Sequence, residues 1–158
     1  MGCLAMKENK QFGLEAIEQA HHEAELDLVV PFTTPELTRV ALDAANRLGA
    51  GLHATLRLVK VQVVPYPLQL TQPPVFIDFL KSQLARFQSE LPVSREIFLT
   101  RDFEEGLLGT LGRDSIVILA SGKRLWRTRS ERLAASLRRA GYKVVLVSTE
   151  FKTEAKNA

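Results

Sequence analysis

The stretch LDLVVPFTTPELTRVALDAANRLGA, residues 26–50, decides the fold class of this chain. It opens with LDLVVPF, a short apolar run typical of a strand that is covered on both faces. Thr34 and Pro35 follow as an N-cap and a first helical residue. Apolar residues then recur at helical spacing until Gly49, which predicts a helix that ends at this glycine. The stretch therefore predicts a strand, a tight turn and a helix.

The rest of the chain repeats this alternation of strands and helices. Apolar runs predict further strands at 52–64, 93–100, 115–120 and 144–147, and periodic apolar stripes predict helices at 76–91, 102–112 and 130–140. Gly106, Gly109 and Gly112 fall inside the third predicted helix, where we expect them to let it pack closely on the sheet. The alternation indicates an α/β fold, with an open, doubly wound parallel sheet and helices on both of its faces.

Length and composition indicate one globular domain. The chain has 158 residues, of which 46% are hydrophobic and 25% are charged. We place the α/β domain at residues 26–148. Residues 1–25 are interpreted as an N-terminal extension that is partly helical, because a weak helical stripe runs from Leu14 to His21. Residues 149–158 are polar, and we expect them to form a disordered tail.

The sequence carries no sign of a membrane, a metal site or a catalytic centre. No apolar run approaches the roughly 18 residues that a membrane span needs, and no signal-peptide pattern occurs, so we expect a cytoplasmic protein. Cys3 is the single cysteine. His21 and His22 are adjacent, so on a helix they point in different directions and cannot hold one metal ion. Ser121 lacks a nucleophile elbow and no Walker motif occurs, so we assign no catalytic residue and expect no enzymatic activity.

Positive charge is concentrated in one segment. Residues 121–143 contain eight basic residues and one acidic residue, Glu131, whereas the rest of the chain contains 13 basic and 17 acidic residues. An anionic partner is therefore expected at this segment first.

Several short stretches resemble the universal stress protein family. They are VVP at 29–31, NRLGA at 46–50, RDFEE at 101–105, SIVILA at 115–120 and KVVLV at 143–147. The resemblance covers roughly residues 26–148. It implies a five-stranded sheet in the order 3-2-1-4-5, counted along the chain from residue 26, and a homodimer.

The ATP-binding members of that family have an acidic residue after the first strand and a glycine-rich loop, Gly-x2-Gly-x9-Gly-Ser/Thr, after the fourth. Here Thr33 takes the acidic position, and Arg129 stands where a glycine should precede Ser130. Of the loop glycines, Gly122 remains. Side chains at glycine positions would obstruct close approach of the backbone to phosphates, so we expect only weak binding of ATP or AMP.

The basic loop offers a second way to hold an anion, because an arginine guanidinium presents a planar fork of donors to a phosphate. The alternative is that these side chains form a solvated rim. Trp126 could stack on a base, or pack beneath its own loop. The candidate ligand-binding residues are Thr33, Gly122, Lys123, Arg124, Arg127, Arg129 and Ser130.

The residues and the resemblance together predict a non-enzymatic regulatory or binding domain of universal-stress-protein type that needs no cofactor. One alternative is a stress protein that binds a nucleotide or a phosphate ligand through the basic loop. Another is a module that contacts nucleic acid, which we consider less favoured. The apolar fifth strand should lie at a sheet edge, so we expect a homodimer through Lys143 to Ser148.

Overall fold

A computed structural model describes residues 4–6, 25–71, 76–123 and 128–149 of the chain. The strands are β1 (Leu4–Met6), β2 (Leu26–Pro31), β3 (Ala54–Val63), β4 (Val93–Thr100), β5 (Ile116–Gly122) and β6 (Lys143–Thr149). The helices are α1 (Pro35–Gly49), α2 (Ile77–Ala85), α3 (Phe103–Leu108) and α4 (Arg129–Arg139). The predicted helical stripe at 14–21 and nearly all of the predicted tail lie outside the described residues.

The strands form one sheet in the order β1-β4-β3-β2-β5-β6. Strands β2 to β6 are mutually parallel, which confirms the predicted α/β fold and its order of five strands. Strand β6 lies at one edge, as expected. Strand β1 is an addition that the sequence analysis did not predict. It pairs antiparallel with β4, with Leu4 opposite Leu99, and it covers the other edge of the parallel sheet.

Helices cover both faces of the sheet because alternate strand residues point to opposite sides. On β2, Leu28 and Val30 face a core layer built with α1 and α2, whereas Val29 faces a second layer built with α3 and α4. All three side chains are fully buried. This explains why the strand reads as a continuous apolar run rather than as an alternating one.

Helix α2 is shorter than predicted. It spans Ile77–Ala85 and does not extend to residue 91. Two of its predicted core residues are exposed, Phe76 by 84% and Phe79 by 64%. The guanidinium of Arg95 on β4 donates to the carbonyl of Leu84 at 3.1 Å and to that of Phe87 at 2.7 Å. These bonds satisfy carbonyl oxygens at the end of the helix, which therefore ends without another turn.

Helix α3 is also shorter than predicted, because it ends at Leu108 and not near Gly112. The hydroxyl of Thr110 donates to the carbonyl of Leu107 at 2.7 Å, and the amide of Gly112 donates to the hydroxyl of Ser115 at 3.0 Å. The backbone also changes here to hydrogen bonds between residues three apart, so the α-helical pattern ends after Leu108. The expected close packing on the sheet holds for Gly106, whereas the other two glycines lie beyond the helix.

A polar cluster ties three neighbouring strands together near their amino ends. The guanidinium of Arg57 on β3 binds both carboxylate oxygens of Glu96 on β4, at 3.1 and 2.9 Å, and lies 3.5 Å from the carboxylate of Asp27 on β2. It also donates to the carbonyl of Thr110 at 2.9 Å. Contact with these two carboxylates, above all the hydrogen bond to Glu96, raises the pKa of Arg57. We interpret this cluster as structural.

Candidate anion-binding cleft

The candidate site lies where β2 ends earlier than its two neighbours, β3 and β5. The last residue of β2, Pro31, pairs with Val59, whereas β3 continues to Val63. Strand β5 continues to Gly122, five residues beyond its pairing with β2 at Val117. Since a strand rises about 3.3 Å per residue, β3 extends roughly 13 Å past the end of β2. A notch therefore remains between β3 and β5 at the carboxyl edge of the sheet.

The notch is the floor of a cleft of about 850 Å³. It lies where the strand order reverses, which is the usual ligand position in open α/β sheets. Its walls come from the turn after β2, the start of α1, the end of β3, and the starts of α3 and α4. The lining residues are Phe32, Thr33, Thr34, Glu36, Leu37, Lys60, Val61, Gln62, Val63, Phe103, Gly122, Lys123, Thr128, Arg129, Ser130 and Leu133.

Five residues predicted from the sequence lie together around this cleft: Thr33, Gly122, Lys123, Arg129 and Ser130. They come from two segments separated by more than eighty residues, and the parallel pairing of β2 with β5 brings them to one edge of the sheet. The other two predicted residues lie outside the described residues, as does the tryptophan of the basic loop. These are Arg124, Arg127 and Trp126.

Helix α4 begins at Arg129, one residue before the predicted start at 130. Its N-cap is Thr128. The hydroxyl of Thr128 accepts from the amide of Glu131 at 3.2 Å, and the Glu131 carboxylate accepts from the amide of Thr128 at 2.8 Å. This reciprocal pair is a capping box. It does not use the amides of Arg129 and Ser130, which belong to the first turn and carry the positive end of the helix dipole.

On the other wall, the turn after β2 is held by a buried hydroxyl. The amide of Thr33 donates to the hydroxyl of Thr38 at 3.2 Å, and Thr38 is fully buried in α1. Thr34 caps the helix as predicted, since its hydroxyl accepts from the amide of Leu37 at 3.3 Å. Both contacts fix the first turn of α1 against the end of β2, so this wall has a defined shape.

The sequence analysis missed Lys60, a cation in the cleft. It lies on the part of β3 that extends beyond β2, and its ammonium group is 4.2 Å from the centre of the Phe32 ring. Burial lowers the pKa of Lys60. A signal did exist in the sequence: this lysine takes a position that shares a strand face with the buried Leu56 and Leu58.

Arg129 is placed in a similar way on the opposite wall. Its guanidinium lies 5.3 Å from the centre of the Phe103 ring, at the start of α3. Lys123 follows the end of β5 and is exposed. Among the residues that the structure describes, no carboxylate lies within 4 Å of the charged group of Lys60, Lys123 or Arg129. Glu36 is the one acidic residue among the described lining residues. The cleft is therefore electropositive.

No protein-family model and no curated protein matches this chain.

The cleft has several groups that can bind an anion. The cations, hydroxyls and backbone amides of its described lining can all donate hydrogen bonds to an anion, whereas the carboxylate of Glu36 cannot. Within the described ranges, no three His, Cys, Asp or Glu side chains lie close enough to hold a metal ion. No helix in the same part of the chain is long and apolar enough to cross a membrane.

Proposed function

We propose that this protein is a regulatory or binding domain of universal-stress-protein type, without enzymatic activity, that holds a small phosphate-bearing ligand in the cleft between β3 and β5. The family assignment rests on the sequence resemblance, and the order of the five parallel strands is the one that the resemblance implies.

The observation that carries the proposal is the convergence of Lys60, Lys123 and Arg129 on one cleft without a described carboxylate partner. Like charges that share a concave site repel one another, and the partial burial of Lys60 adds a desolvation cost for that charge. A bound anion would relieve both costs. The N-terminus of α4 faces the same cleft and adds a positive partial charge, although it would not make a site alone.

The same residues argue against tight ATP binding. A glycine-rich cradle brings backbone amides close to the phosphates, whereas here the Arg129 side chain stands at a cradle position and lines the cleft. Thr33 is neutral where ATP-binding members of the family carry an acidic residue. We therefore propose that phosphate groups are recognised chiefly by side chains, and that ATP is a poor ligand.

A thermal-shift experiment tests this proposal. Millimolar inorganic phosphate at constant ionic strength should raise the melting temperature of the protein, because a ligand that binds only the folded state stabilises it. Arg129→Ala should remove most of that shift. Arg139→Ala is the matched control, since Arg139 is an exposed arginine at the far end of α4 and should leave the shift unchanged.

Two results would contradict the proposal. One is a melting temperature that does not change with phosphate, in which case the cations form only a solvated rim. The other is sub-micromolar affinity for ATP in a calorimetric titration, which would show that the departures at Thr33 and Arg129 do not impair the nucleotide site.

We also propose that the protein is a homodimer through β6. The strand spans Lys143–Thr149, lies at the sheet edge and leaves Val145 38% exposed. An unpaired edge strand with apolar residues favours pairing with a second chain.

A further inference from the structure

We propose that the ligand of this cleft carries two anionic groups on a compact body, one held by Lys60 and the other by Arg129 together with Lys123. This inference rests on the proposed function, because it describes the ligand of the same site. It goes further, because it requires the site to hold anions at two separate points.

The two anchoring cations lie on opposite faces of the sheet. Lys60 alternates along β3 with Val59 and Val61, which belong to the core layer of α3 and α4, so Lys60 points to the layer of α1 and α2. Phe32, whose ring lies beside it, belongs to that same layer. Arg129 lies instead over Phe103, which packs in the opposite layer. A ligand that touches both cations therefore crosses the end of the sheet.

A ligand can extend from one face of the sheet to the other because β2 is short. The chain leaves the sheet after Pro31, so no strand separates the two faces above that residue. Both cations and both aromatic residues line the same cleft of about 850 Å³, which is large enough for a small metabolite. The four residues are Lys60, Phe32, Arg129 and Phe103.

Both cations are positioned by aromatic rings rather than by carboxylates. A ring attracts a cation through its face, within about 6 Å of the centroid, and leaves the outer side of the cation available. Ion pairs with Asp or Glu would have occupied those donors. Among described residues, Lys60 and Arg129 make no such pair, so each can meet an anionic group of the ligand.

Because Lys60 is half buried, its contact with an anionic group should be detectable as a change in protonation. Burial lowers the pKa of Lys60, and an adjacent anion should raise it again. Binding of the second anionic group should therefore be accompanied by uptake of a proton at alkaline pH. The other charged residues around the cleft are Glu36 on α1, Lys123 after β5 and Arg129 on α4. These three side chains are exposed, so we assign the proton uptake to Lys60.

The test compares orthophosphate with pyrophosphate, at equal ionic strength and without divalent cations. Pyrophosphate should bind roughly tenfold more tightly or better, as expected from one added charge-assisted hydrogen bond. Lys60→Met should lose more affinity for pyrophosphate than for orthophosphate and so remove that preference, whereas Arg129→Ala should weaken both ligands. Lys81→Met is the control, because Lys81 is an exposed lysine on α2 outside the cleft.

Calorimetry in buffers of different ionisation enthalpy supplies the second readout. At alkaline pH, pyrophosphate binding to the unaltered protein should take up more protons than binding to Lys60→Met. A variant that lost affinity only through misfolding would instead lose its orthophosphate response and its cooperative melting transition.

The outcomes separate this inference from the proposed function. If neither anion binds, the proposed function is wrong and the inference fails with it. If orthophosphate binds and pyrophosphate binds no better, or if Lys60→Met keeps the preference for pyrophosphate, the cleft is a single-anion site and only the inference is overturned.

Discussion

At the scale of single residues, Gly106 shows how closely α3 approaches the sheet. A Cβ atom placed there would lie 2.6 Å from Cγ2 and 2.9 Å from Cβ of Thr100, and 3.0 Å from Cγ1 of Val61. Both neighbours are β-branched strand residues whose side chains are stiff. The glycine is therefore required by packing, even though glycine inside a helix is intrinsically unfavourable.

We predict that Gly106→Ala destabilises the protein by about 1–2 kcal/mol, because overpacking outweighs the better helix propensity of alanine. Gly109→Ala is the control. A Cβ at Gly109 would meet only backbone oxygens of its own helix, at 3.4 and 3.6 Å, so the change should stay within about 0.5 kcal/mol. Urea unfolding measures both. Equal stability of the two variants would contradict this account of the close approach.

Lys60 should show the cost of keeping a cation in the cleft. Without a ligand at neutral pH, the free energy of unfolding of Lys60→Met should equal or exceed that of the unaltered protein. The gain should stay below about 1 kcal/mol, because the ammonium group is only half buried. The folded pKa of Lys60 is lowered, so the unfolded state binds more protons as the pH rises through that value. The stability of the unaltered protein should therefore rise toward that of the variant.

The measurement is urea unfolding at a series of alkaline pH values. Lys81→Met serves as the comparison, since Lys81 is an exposed lysine on α2. If the difference between Lys60→Met and the unaltered protein does not depend on pH, burial of the ammonium group carries no cost.

At the scale of elements, the capping box of α4 links the stability of the helix to the shape of the site. Thr128 and Glu131 satisfy one another's backbone amides, and Thr128 also lines the cleft. Loss of the cap would fray the turn that carries Arg129 and Ser130. The helix that carries two of the candidate ligand-binding residues is therefore fixed by a local sequence signal.

We predict that Thr128→Ala costs about 1 kcal/mol of stability, because the amide of Glu131 loses its acceptor. The same change should weaken phosphate binding, since fraying displaces Arg129. Thr128→Ser keeps the hydroxyl and should restore both properties. Urea unfolding and the phosphate-dependent thermal shift measure them, and a serine variant as impaired as the alanine variant would refute the capping explanation.

At the scale of the whole molecule, the parallel sheet has two unlike edges. Strand β4 is covered by β1, whereas the outer side of β6 pairs with no described strand. Strand β6 alternates between exposed and half-buried residues. This asymmetry favours association through one edge only, and hence a closed two-fold dimer rather than an open chain of subunits.

We predict that light scattering at high micromolar concentration returns twice the chain mass of 17.6 kDa. Val145→Lys should shift the protein to the monomer mass, because a charged lysine on an edge strand opposes pairing. Phe79→Lys is the control, since Phe79 is 64% exposed on α2, which packs against β4 toward the other edge of the parallel sheet. A monomer mass for the unaltered protein would exclude the dimer.

Much of the fold could be predicted because its signals are local. The caps at Thr34 and Asp102, the end of α1 at Gly49 and the bounds of β4 follow from residues that are neighbours in the chain. The order of the strands followed from the resemblance rather than from periodicity. Predicted boundaries failed where a distant group intervened, as Arg95 does when its side chain satisfies carbonyls at the end of α2.

The sequence by itself determined an α/β domain with a basic segment after its fourth parallel strand, and it identified five residues that line the cleft. Only the tertiary structure decided that β2 ends early, that Lys60 enters the site and that its amine lies opposite Arg129. The physical reason is that a periodic pattern specifies which face of an element is buried. The register between strands, and therefore which side chains converge at a sheet edge, depends on the packing of segments far apart in the chain.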